Sequence, residues 1–319
     1  MEIVLTALRA AGEPTRLRIL AILAKGELTV SELTQVLLQS QPRISRHLKL
    51  LADAGLVQRY PEGSWVFYRL HESGPVGALL AEIIRNLPRD DHYIQRDSER
   101  LAEVREDRAA RAQVYFAENA ANWDSLRAQH IPETEVEAEI ADLMAEDGME
   151  LLVDLGTGTG RMLEVFGERA TRAIGFDVSP NMLALARTNL DEARLSNCQV
   201  RQGDCTNVPL EDASANVVIL HQVLHFLDDP QRAISEASRI LVPGGQVLVA
   251  DFGPHELEEL RDAHAHRRLG FADTDMQMMM RQVGLVPLPA IQLSSASHQL
   301  TVALWQAEKP KADKQSEVK

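Results

Sequence analysis

The stretch "LLVDLGTGTGR", residues 151–161, joins an apolar run to a loop that contains three glycines. The apolar part predicts a buried strand, and the residues that follow, "MLEVFGER", predict a helix. Gly156, Gly158 and Gly160 permit a tight turn and a close approach of the backbone to a ligand. Since the start of the following helix also offers N–H donors, the stretch predicts a binding loop at the end of a strand.

A dinucleotide site is the competing interpretation of such a loop. The fingerprint of those sites, Gly-x-Gly-x-x-Gly, has one more residue between its last two glycines than Gly158 and Gly160 have. Asp154 precedes the loop, and a second strand in "AIGFDVSPNMLALA" (173–186) ends at Asp177, 23 positions later. A carboxylate at that place can bind a ribose diol through both of its oxygens.

Further strands continue the alternation with helices. "VRQGDCTNVPL" (200–210) predicts a strand that ends at Gly203 and Asp204, and the Asp204 carboxylate is available to an adenine amino group. The pattern is completed by "ANVVILHQVLHFL" (215–227), "SRILVPGGQVLVADF" (238–252) and "GLVPLPAIQLSSASHQLTVALWQA" (284–307). The alternation predicts a mostly parallel sheet, with ligand contacts at the carboxyl ends of its strands.

Four of these segments, "DLGTGTG", "GFDVSPNML", "QGDCTNVPL" and "RILVPGGQVLVADF", resemble the successive motifs of class I S-adenosylmethionine-dependent methyltransferases. The resemblance covers about residues 112–307 and implies a Rossmann-like sheet that binds S-adenosylmethionine or S-adenosylhomocysteine. It implies that the glycine loop lines the methionine part of this ligand, that Asp177 holds the ribose and that Met182 packs on the adenine. The implied cofactor-binding residues are Asp154, Gly156, Gly158, Gly160, Asp177, Met182, Gly203, Asp204, Cys205, His221 and Gln222.

Catalysis is less defined by the sequence, because methyl transfer from a sulfonium depends mainly on positioning and on exclusion of water. His221 and His225 are the candidate catalytic residues for deprotonating a substrate nucleophile, and a structural role is the alternative for each. Arsenite methylation is rejected, because such enzymes hold arsenic with three or more cysteines and this chain has only Cys198 and Cys205. A nucleic-acid methyltransferase is disfavoured, because "HQVLHF" lacks the Asn/Asp-Pro-Pro-aromatic signature of amino-methylating DNA enzymes.

A second informative stretch, "SQPRISRHLKLLADAGLV" (40–57), predicts a helix with a polar outer face. Ser40 suits the N-cap, and Gly55 suits the left-handed position after the helix end. Apolar positions between Ile44 and Leu51 form one core-facing stripe. The opposite face offers guanidinium, amide and hydroxyl groups to base edges and phosphates, as a recognition helix does.

The following "LVQRYPEGSWVFYRL" (56–70) predicts two short strands around a turn, with Arg59 and Arg69 placed to reach phosphates. From the pattern alone, a packing module with a solvated basic face is the alternative. "LRAAGEPTRLRILAILAKGELTVSEL", "SQPRISRHLKLLADAGLV" and "EGSWVFYRL" resemble, in order and spacing, the ArsR/SmtB family of winged-helix repressors over residues 3–70. The resemblance implies a homodimer on an inverted-repeat operator of double-stranded DNA. The residues predicted to bind DNA are Gln41, Arg43, Ser45, Arg46, His47, Lys49 and Arg59.

One departure from that family concerns its signal. The metalloid-sensing members carry cysteines where this chain has Thr29 and Ser31. Hydroxyls do not hold soft ions as thiolates do. We therefore expect no metal site in this module, and the signal must come from elsewhere.

Charge is distributed unevenly along the 319 residues. Residues 1–70 contain nine basic and six acidic residues and so carry +3, whereas the whole chain has a formal net charge of -14. A mildly basic module on an acidic remainder is what a tethered nucleic-acid-binding domain shows. Only two cysteines occur, and no apolar run suits a signal peptide or a membrane span. We therefore expect a cytoplasmic protein without a membrane partner.

The expected architecture is α/β and multidomain. It comprises a winged helix-turn-helix over residues 1–72, a helical linker for dimerisation over 73–111, a Rossmann-like class I methyltransferase sheet over 112–307 and a disordered tail over 308–319. Within the linker, "QRDSERLAEVREDRAARAQ" (95–113) predicts a solvated helix. The next residues bring Tyr115, Phe116 and Trp123 toward the methyltransferase domain.

Two functions follow from this architecture. The leading hypothesis is a transcriptional repressor whose second domain senses S-adenosylmethionine or S-adenosylhomocysteine. The alternative is an active methyltransferase of a small-molecule acceptor that represses its own operon.

Overall fold

The computed structural model describes residues 1–62, 65–71, 74–88, 90–119, 133–144, 149–294 and 300–311. The chain divides into two compact units, Met1–Ala112 and Gln113–Lys319. The segment 73–111, predicted as a linker, belongs to the first unit. Trp123 lies outside the described residues.

The first unit is a winged helix with additional helices. Its elements are α1 (Glu2–Ala11), α2 (Pro14–Leu23), β1 (Leu28–Thr29), α3 (Val30–Leu37), α4 (Gln41–Asp53), β2 (Val57–Glu62), β3 (Trp65–Leu70), α5 (Gly74–Arg85) and α6 (His92–Asn119). The strands form an antiparallel sheet in the order β1-β3-β2. The last residues of α6, from Gln113 onward, belong to the second unit.

Local interactions explain where these helices begin and end. Glu13 caps α2 by accepting a hydrogen bond from the backbone N–H of Arg16 at 2.9 Å. Thr29 and Glu32 cap each other's backbone at the start of α3, a reciprocal capping box. Gly55 follows α4 with a φ of +71°. The helix α4 therefore ends as the sequence predicts.

The core of the first unit uses the predicted stripe of α4. Ile44, Leu48 and Leu51 are each 0% exposed and pack with apolar side chains of the other helices and of the wing. The prediction for α6 is wrong in one respect, because this helix is not solvated all round. Leu101 joins the same apolar cluster, and the Asp97 side chain is fully buried.

The second unit is a three-layer α/β domain. Its elements are α7 (Glu133–Leu143), β4 (Met149–Leu155), α8 (Arg161–Phe166), β5 (Ala170–Asp177), α9 (Pro180–Glu192), β6 (Cys198–Gln202), β7 (Ala215–His221), α10 (Pro230–Ile240), β8 (Leu241–Phe252), α11 (Glu259–His264), α12 (Asp273–Gln282), β9 (Val286–Pro287), β10 (Ile291–Ser294) and β11 (Thr301–Glu308). Successive residues of β4 enter different apolar clusters, Leu152 one and Val153 the other. Both faces of the sheet are therefore covered, as period-two alternation requires.

The sheet order is β10-β11-β8-β7-β4-β5-β6, with β9 paired to β11. The pairs β8–β7, β7–β4, β4–β5 and β5–β6 are parallel, and β11 runs antiparallel to β8. The chain order reverses direction at β4, so the carboxyl ends of β4 and β7 flank a crevice where doubly wound sheets bind ligands.

The last strand and the residues after it extend slightly beyond the predicted end of the methyltransferase domain at residue 307. β11 continues to Glu308, and the Lys309 ammonium donates to the carbonyls of Ser238 at 2.7 Å and Leu241 at 2.8 Å. The predicted tail, residues 308–319, therefore begins with Glu308 in a strand, and its residues 312–319 lie outside the described residues. Among the described helices, none combines the length and the apolar character needed to cross a membrane.

Candidate functional site

The glycine loop after β4 has the backbone that the sequence predicts. Gly156, Gly158 and Gly160 have φ values of +82°, +52° and +86°, in the left-handed region that favours glycine. A Cβ built on Gly156 would lie 2.3 Å from Cγ2 of Val223, in the loop after β7. The loop therefore requires glycine at this place both for its conformation and for the space around it.

Asp177 lies directly against this loop. It ends β5, which pairs in parallel with β4, and its Oδ2 accepts a hydrogen bond from the N–H of Gly158 at 2.9 Å. Its Oδ1 accepts from the N–H of Ser179 at 2.8 Å. Burial raises the pKa of the Asp177 carboxyl above its ordinary value. The structure thus brings together the glycine loop and Asp177, the two features predicted to bind the methionine and ribose parts of S-adenosylmethionine.

The ends of β6 and α9 complete this side of the crevice. The N–H of Gly203 donates to the carbonyl of Asp177 at 3.0 Å, and Oδ1 of Asp204 accepts from the N–H of Thr206 at 2.8 Å. Met182 is 2% exposed in the first turn of α9, and Cys205 is buried. Burial raises the pKa of the Cys205 thiol, so this side chain is uncharged near neutral pH.

The end of β7 contributes a strained residue. Gln222 has a φ of +52°, which non-glycine residues adopt at a cost, and its N–H donates to the carbonyl of Ala250 at 2.7 Å. Among the described residues, no hydrogen-bond partner reaches the buried Nε2 of Gln222. A buried amide in a strained backbone indicates a functional position. His221 is buried beside it, and Asp154 is buried in β4.

His225, a candidate base, lies in a 3-10 turn (Leu224–Phe226) that follows β7. Its Nδ1 is 2.7 Å from Oδ1 of Asp251 at the end of β8, and both side chains are almost fully buried. Sequence reasoning missed Asp251. An acidic residue at the end of the apolar run "VLVA" is the signal that could have indicated it, because charged residues at strand ends line such crevices.

The side chains predicted to read DNA are exposed, with one exception. Gln41, Arg43, Ser45, Arg46 and Lys49 are exposed on α4, and Arg59 is exposed on β2. His47 instead faces the protein, with Nδ1 3.7 Å from Oε2 of Glu13, and burial lowers the pKa of its imidazole. The His47 side chain therefore turns toward the protein beside the exposed residues of α4, and its part in DNA binding stays a prediction.

Arg69 is also held by the protein. Its guanidinium stacks on the ring of Tyr60 at 3.8 Å, and its Nε donates to the side-chain oxygen of Gln58 at 3.2 Å. The sequence predicted that Arg69 reaches phosphates. Its side chain instead packs against β2, within the wing.

Comparisons with known proteins divide the chain in the same way. The sequence profile of the bacterial regulatory protein arsR family matches residues 13–59, and that of a methyltransferase domain matches residues 153–249. The arsenic resistance transcriptional regulator ArsR1 of Pseudomonas putida is 40% identical over 101 residues, which cover 31% of this chain and 77% of that protein. An arsenite methyltransferase of Halobacterium salinarum is 32% identical over 105 residues, which cover 32% of this chain and 27% of that protein. A structure of an S-adenosylmethionine-dependent methyltransferase from Thermotoga maritima matches with a TM-score of 0.51 at 20% identity, covering 61% of this chain and 98% of that one.

These findings define the class of protein as a winged-helix regulator fused to a class I methyltransferase domain. Through its first unit, the chain belongs to the arsR family of bacterial regulatory proteins. It spans only about a quarter of the arsenite methyltransferase, 27%, so that match carries no acceptor over to this chain.

The residues of the second unit fit an S-adenosyl ligand. The loop at Gly156 has no room for a side chain, Asp177 holds a carboxylate against the loop, and the buried amide of Gln222 can still donate. A ribose diol suits such a carboxylate, and a methionine part suits close backbone N–H groups.

Proposed function

We propose that this protein is a transcriptional repressor that binds an operator as a homodimer and changes its affinity when its second unit binds S-adenosylmethionine or S-adenosylhomocysteine. The observation that carries the proposal is the bond between Gly158 N–H and Asp177 Oδ2. It joins a glycine loop to a ribose-type carboxylate in a chain that also carries an exposed basic recognition helix.

The DNA side of the proposal rests on α4. Its exposed guanidinium, ammonium, amide and hydroxyl groups are suited to base edges and phosphates in a major groove of double-stranded DNA. Exposed apolar side chains of α1, among them Ile3 and Leu5, suit a second copy of the chain. Since a repressor acts where the DNA is, we place the protein in the cytoplasm.

The donor side is proposed as a sensor. Asp177 would hold the ribose hydroxyls, the loop from Gly156 to Gly160 the methionine part, and Asp204 the adenine edge. When bound, S-adenosylmethionine supplies an electrophilic methyl group. Its product, S-adenosylhomocysteine, lacks that methyl group. A ligand shifts operator affinity only by as much as its own affinity differs between the two conformations of the protein.

A second candidate function is turnover, with the DNA module repressing the protein's own operon. The observation that favours it is the pair of His225 and Asp251 beside the crevice, at 2.7 Å. Arsenite is not the acceptor we propose. Burial raises the pKa of the Cys198 thiol to about 11 and also that of Cys205, so neither is a thiolate near neutral pH.

The test is fluorescence anisotropy of the full chain on its own upstream DNA at fixed salt. It is run without ligand, with S-adenosylmethionine and with S-adenosylhomocysteine. We expect one of the ligands to shift the operator Kd by more than about threefold. In Asp177→Ala, the operator affinity without ligand is retained and the shift is lost. Tight operator binding that neither ligand moves would refute the sensor and favour the second function.

A further inference from the structure

The end of β8 carries a buried carboxylate that the donor site does not use. β7 lies between β8 and β4, and both pairings are parallel, so the carboxyl end of β8 opens at the same edge of the sheet as the glycine loop. The loop and Asp177 occupy the β4–β5 side of this edge. The β7–β8 side is left for whatever receives the methyl group.

Asp251 fixes the turn that follows β7. Its Oδ1 accepts from the N–H of Phe252 at 2.8 Å, and its Oδ2 accepts from the N–H groups of Leu224 at 3.0 Å and His225 at 3.3 Å. The same Oδ1 lies 2.7 Å from Nδ1 of the His225 ring. The carbonyl of His225 in turn accepts from the N–H of Arg267 at 2.9 Å, so this residue is held from two sides.

This arrangement determines the tautomer of His225. A carboxylate that already accepts backbone N–H groups can only accept from the ring as well, so Nδ1 carries the proton. Nε2 of His225 then has a free lone pair, which is the form of histidine that acts as a general base. An ionised Asp251 also stabilises the imidazolium that forms when His225 takes up a proton.

Aromatic rings pack around the ring of His225. The ring centroids of Phe226, His266 and Phe252 lie 4.0, 4.2 and 4.9 Å from that of His225. His255 contacts Phe252, and burial with the nearby His225 lowers the pKa of the His255 imidazole to about 4. This ring is therefore uncharged near neutral pH. Aromatic walls of this kind favour an acceptor that presents a planar ring.

Resting on the proposed donor site, we propose that His225 is the catalytic base for a phenolic methyl acceptor and that Asp251 positions it. A phenol has an ordinary pKa near 10, so its oxygen needs a base near neutral pH, whereas a carboxylate acceptor is already ionised. The phenol O–H gives its proton to Nε2 of His225 while the oxygen forms a bond to the methyl carbon. The carbon–sulfur bond breaks and its electron pair stays on sulfur. The products are an aryl methyl ether, S-adenosylhomocysteine and an imidazolium that returns its proton to water.

The test uses the full chain with S-adenosylmethionine and a panel of phenol, 2-naphthol and 4-hydroxybenzaldehyde. 2-Naphthoate is the matched control acceptor. It has the same ring as 2-naphthol, and its carboxylate has no proton to remove near neutral pH. Mass spectrometry follows the methyl ether and S-adenosylhomocysteine. We expect methylation of a phenol to require His225, and any methylation of 2-naphthoate to be independent of it, because a carboxylate needs no base. His225→Gln lowers kcat by about 10²- to 10⁴-fold with the Kd for S-adenosylmethionine unchanged.

Positioning by Asp251 has its own readout. Asp251→Asn lowers kcat for the phenol and leaves the Kd for S-adenosylmethionine unchanged, because an amide cannot fix the same tautomer of His225. Asp273→Asn is the control, since Asp273 accepts from Trp305 Nε1 at 3.1 Å in the same unit and touches none of the dyad. We expect its kcat and its Kd for S-adenosylmethionine to match those of the wild type.

The outcomes separate this inference from the donor site. Calorimetry of the same preparation measures S-adenosylmethionine binding, and a wild type that does not bind it refutes both proposals. If it binds and no phenol is methylated, or if His225→Gln works at the wild-type rate, only the phenolic base is refuted. Should Asp251→Asn fail to fold, the His225→Gln comparison still decides.

Discussion

Arg18 and Asp97 form a bidentate ion pair, with Nε 2.6 Å from Oδ2 and Nη2 2.7 Å from Oδ1. Asp97 is 0% exposed and also accepts from Arg100 at 3.1 Å. The pair joins α6 to α2 across 79 positions of sequence. The helix that leaves the winged-helix unit is therefore anchored to the scaffold that holds the recognition helix.

Removal of Arg18 should destabilise the first unit, because it leaves a buried carboxylate with one remaining cation. We expect Arg18→Ala to lower the free energy of unfolding by about 3 kcal/mol. Arg85→Ala is the control, since Arg85 and its partner Glu82 are 71% and 57% exposed, and we expect a loss below about 1 kcal/mol. Denaturant titration of the full chain measures both. Equal losses in the two variants would contradict a structural role for the buried pair.

Adjacent residues of α4 should differ in their effect on operator binding. Arg46 is exposed, whereas His47 is turned toward Glu13. We expect Arg46→Ala to weaken operator binding by about 1–3 kcal/mol and to reduce its salt dependence. His47→Gln should leave the operator Kd within about twofold, because the His47 ring is turned toward Glu13 and away from the exposed side chains of α4. Anisotropy at several salt concentrations provides the comparison, and a larger loss in His47→Gln would reverse the orientation assigned to α4.

Two glycines with nearly the same φ allow the effect of steric crowding at the loop to be separated from the effect of backbone conformation. Gly156 and Gly284 have φ values of +82° and +81°, but a Cβ meets Val223 at 2.3 Å on the first and nothing within 4 Å on the second. Both alanine variants lose about 1–2 kcal/mol to the left-handed backbone, and only Gly156→Ala should lose further stability and donor binding. Calorimetry with S-adenosylmethionine and thermal unfolding test this. Gly156→Ala/Val223→Ala should recover part of the loss, and no recovery would mean that the contact with Val223 is not the cause.

Much of this architecture is local and could be predicted from the sequence. The glycine loop, the strand that ends at Asp177 and the apolar stripe from Ile44 to Leu51 depend on residue type and spacing within one element. The orientation of His47 could also have been predicted from the sequence. A residue between Ile44 and Leu51 at helical spacing lies beside the core-facing stripe of the helix.

What escaped prediction depends on contacts between distant segments. Burial of Asp97 requires Arg18, and the charge pattern around it reads as a solvated helix when α6 is considered alone. The role of Asp251 emerges only when parallel pairing places the end of β8 beside the turn that contains His225. Neither the contact of Asp97 with Arg18 nor that of Asp251 with His225 produces a periodic pattern in the sequence from which it could be predicted.

The affinity for S-adenosylmethionine should depend on pH through Asp177. Burial raises the pKa of this carboxyl, and protonation replaces one acceptor of the ribose diol with a donor. The ionised form binds the diol better, so affinity is highest above the raised pKa and falls as the pH drops through it. The fall should therefore begin at a higher pH than an ordinary aspartate, near 3.9, would give.

Calorimetry between about pH 7.5 and pH 5 measures this dependence, with circular dichroism to confirm that the fold persists. Asp177→Asn cannot titrate, so it should bind more weakly at every pH and lose this part of the dependence. A profile in Asp177→Asn that parallels the wild type would assign the titration to another group.

Coupling between the ligand and the operator should depend on the end of α6. Tyr115 lies in the part of this helix that belongs to the second unit, and its hydroxyl is 2.8 Å from Nδ1 of His264. Phe116 packs edge-on against Phe226, with ring centroids 4.8 Å apart, next to the proposed base. His264 and Phe226 therefore contact the end of α6 directly. The earlier part of the same helix is anchored by the ion pair between Arg18 and Asp97.

We expect Tyr115→Phe to keep its affinity for S-adenosylmethionine within about twofold while the ligand-induced shift in operator Kd falls below about threefold. The matched control is Tyr93→Phe, because Tyr93 lies on the same helix and is 62% exposed. Anisotropy with and without ligand measures the shift in each variant. If Tyr115→Phe preserves the full shift, the hydrogen bond to His264 does not transmit the signal. If both variants lose it, the effect belongs to α6 as a whole and not to its contact with the crevice.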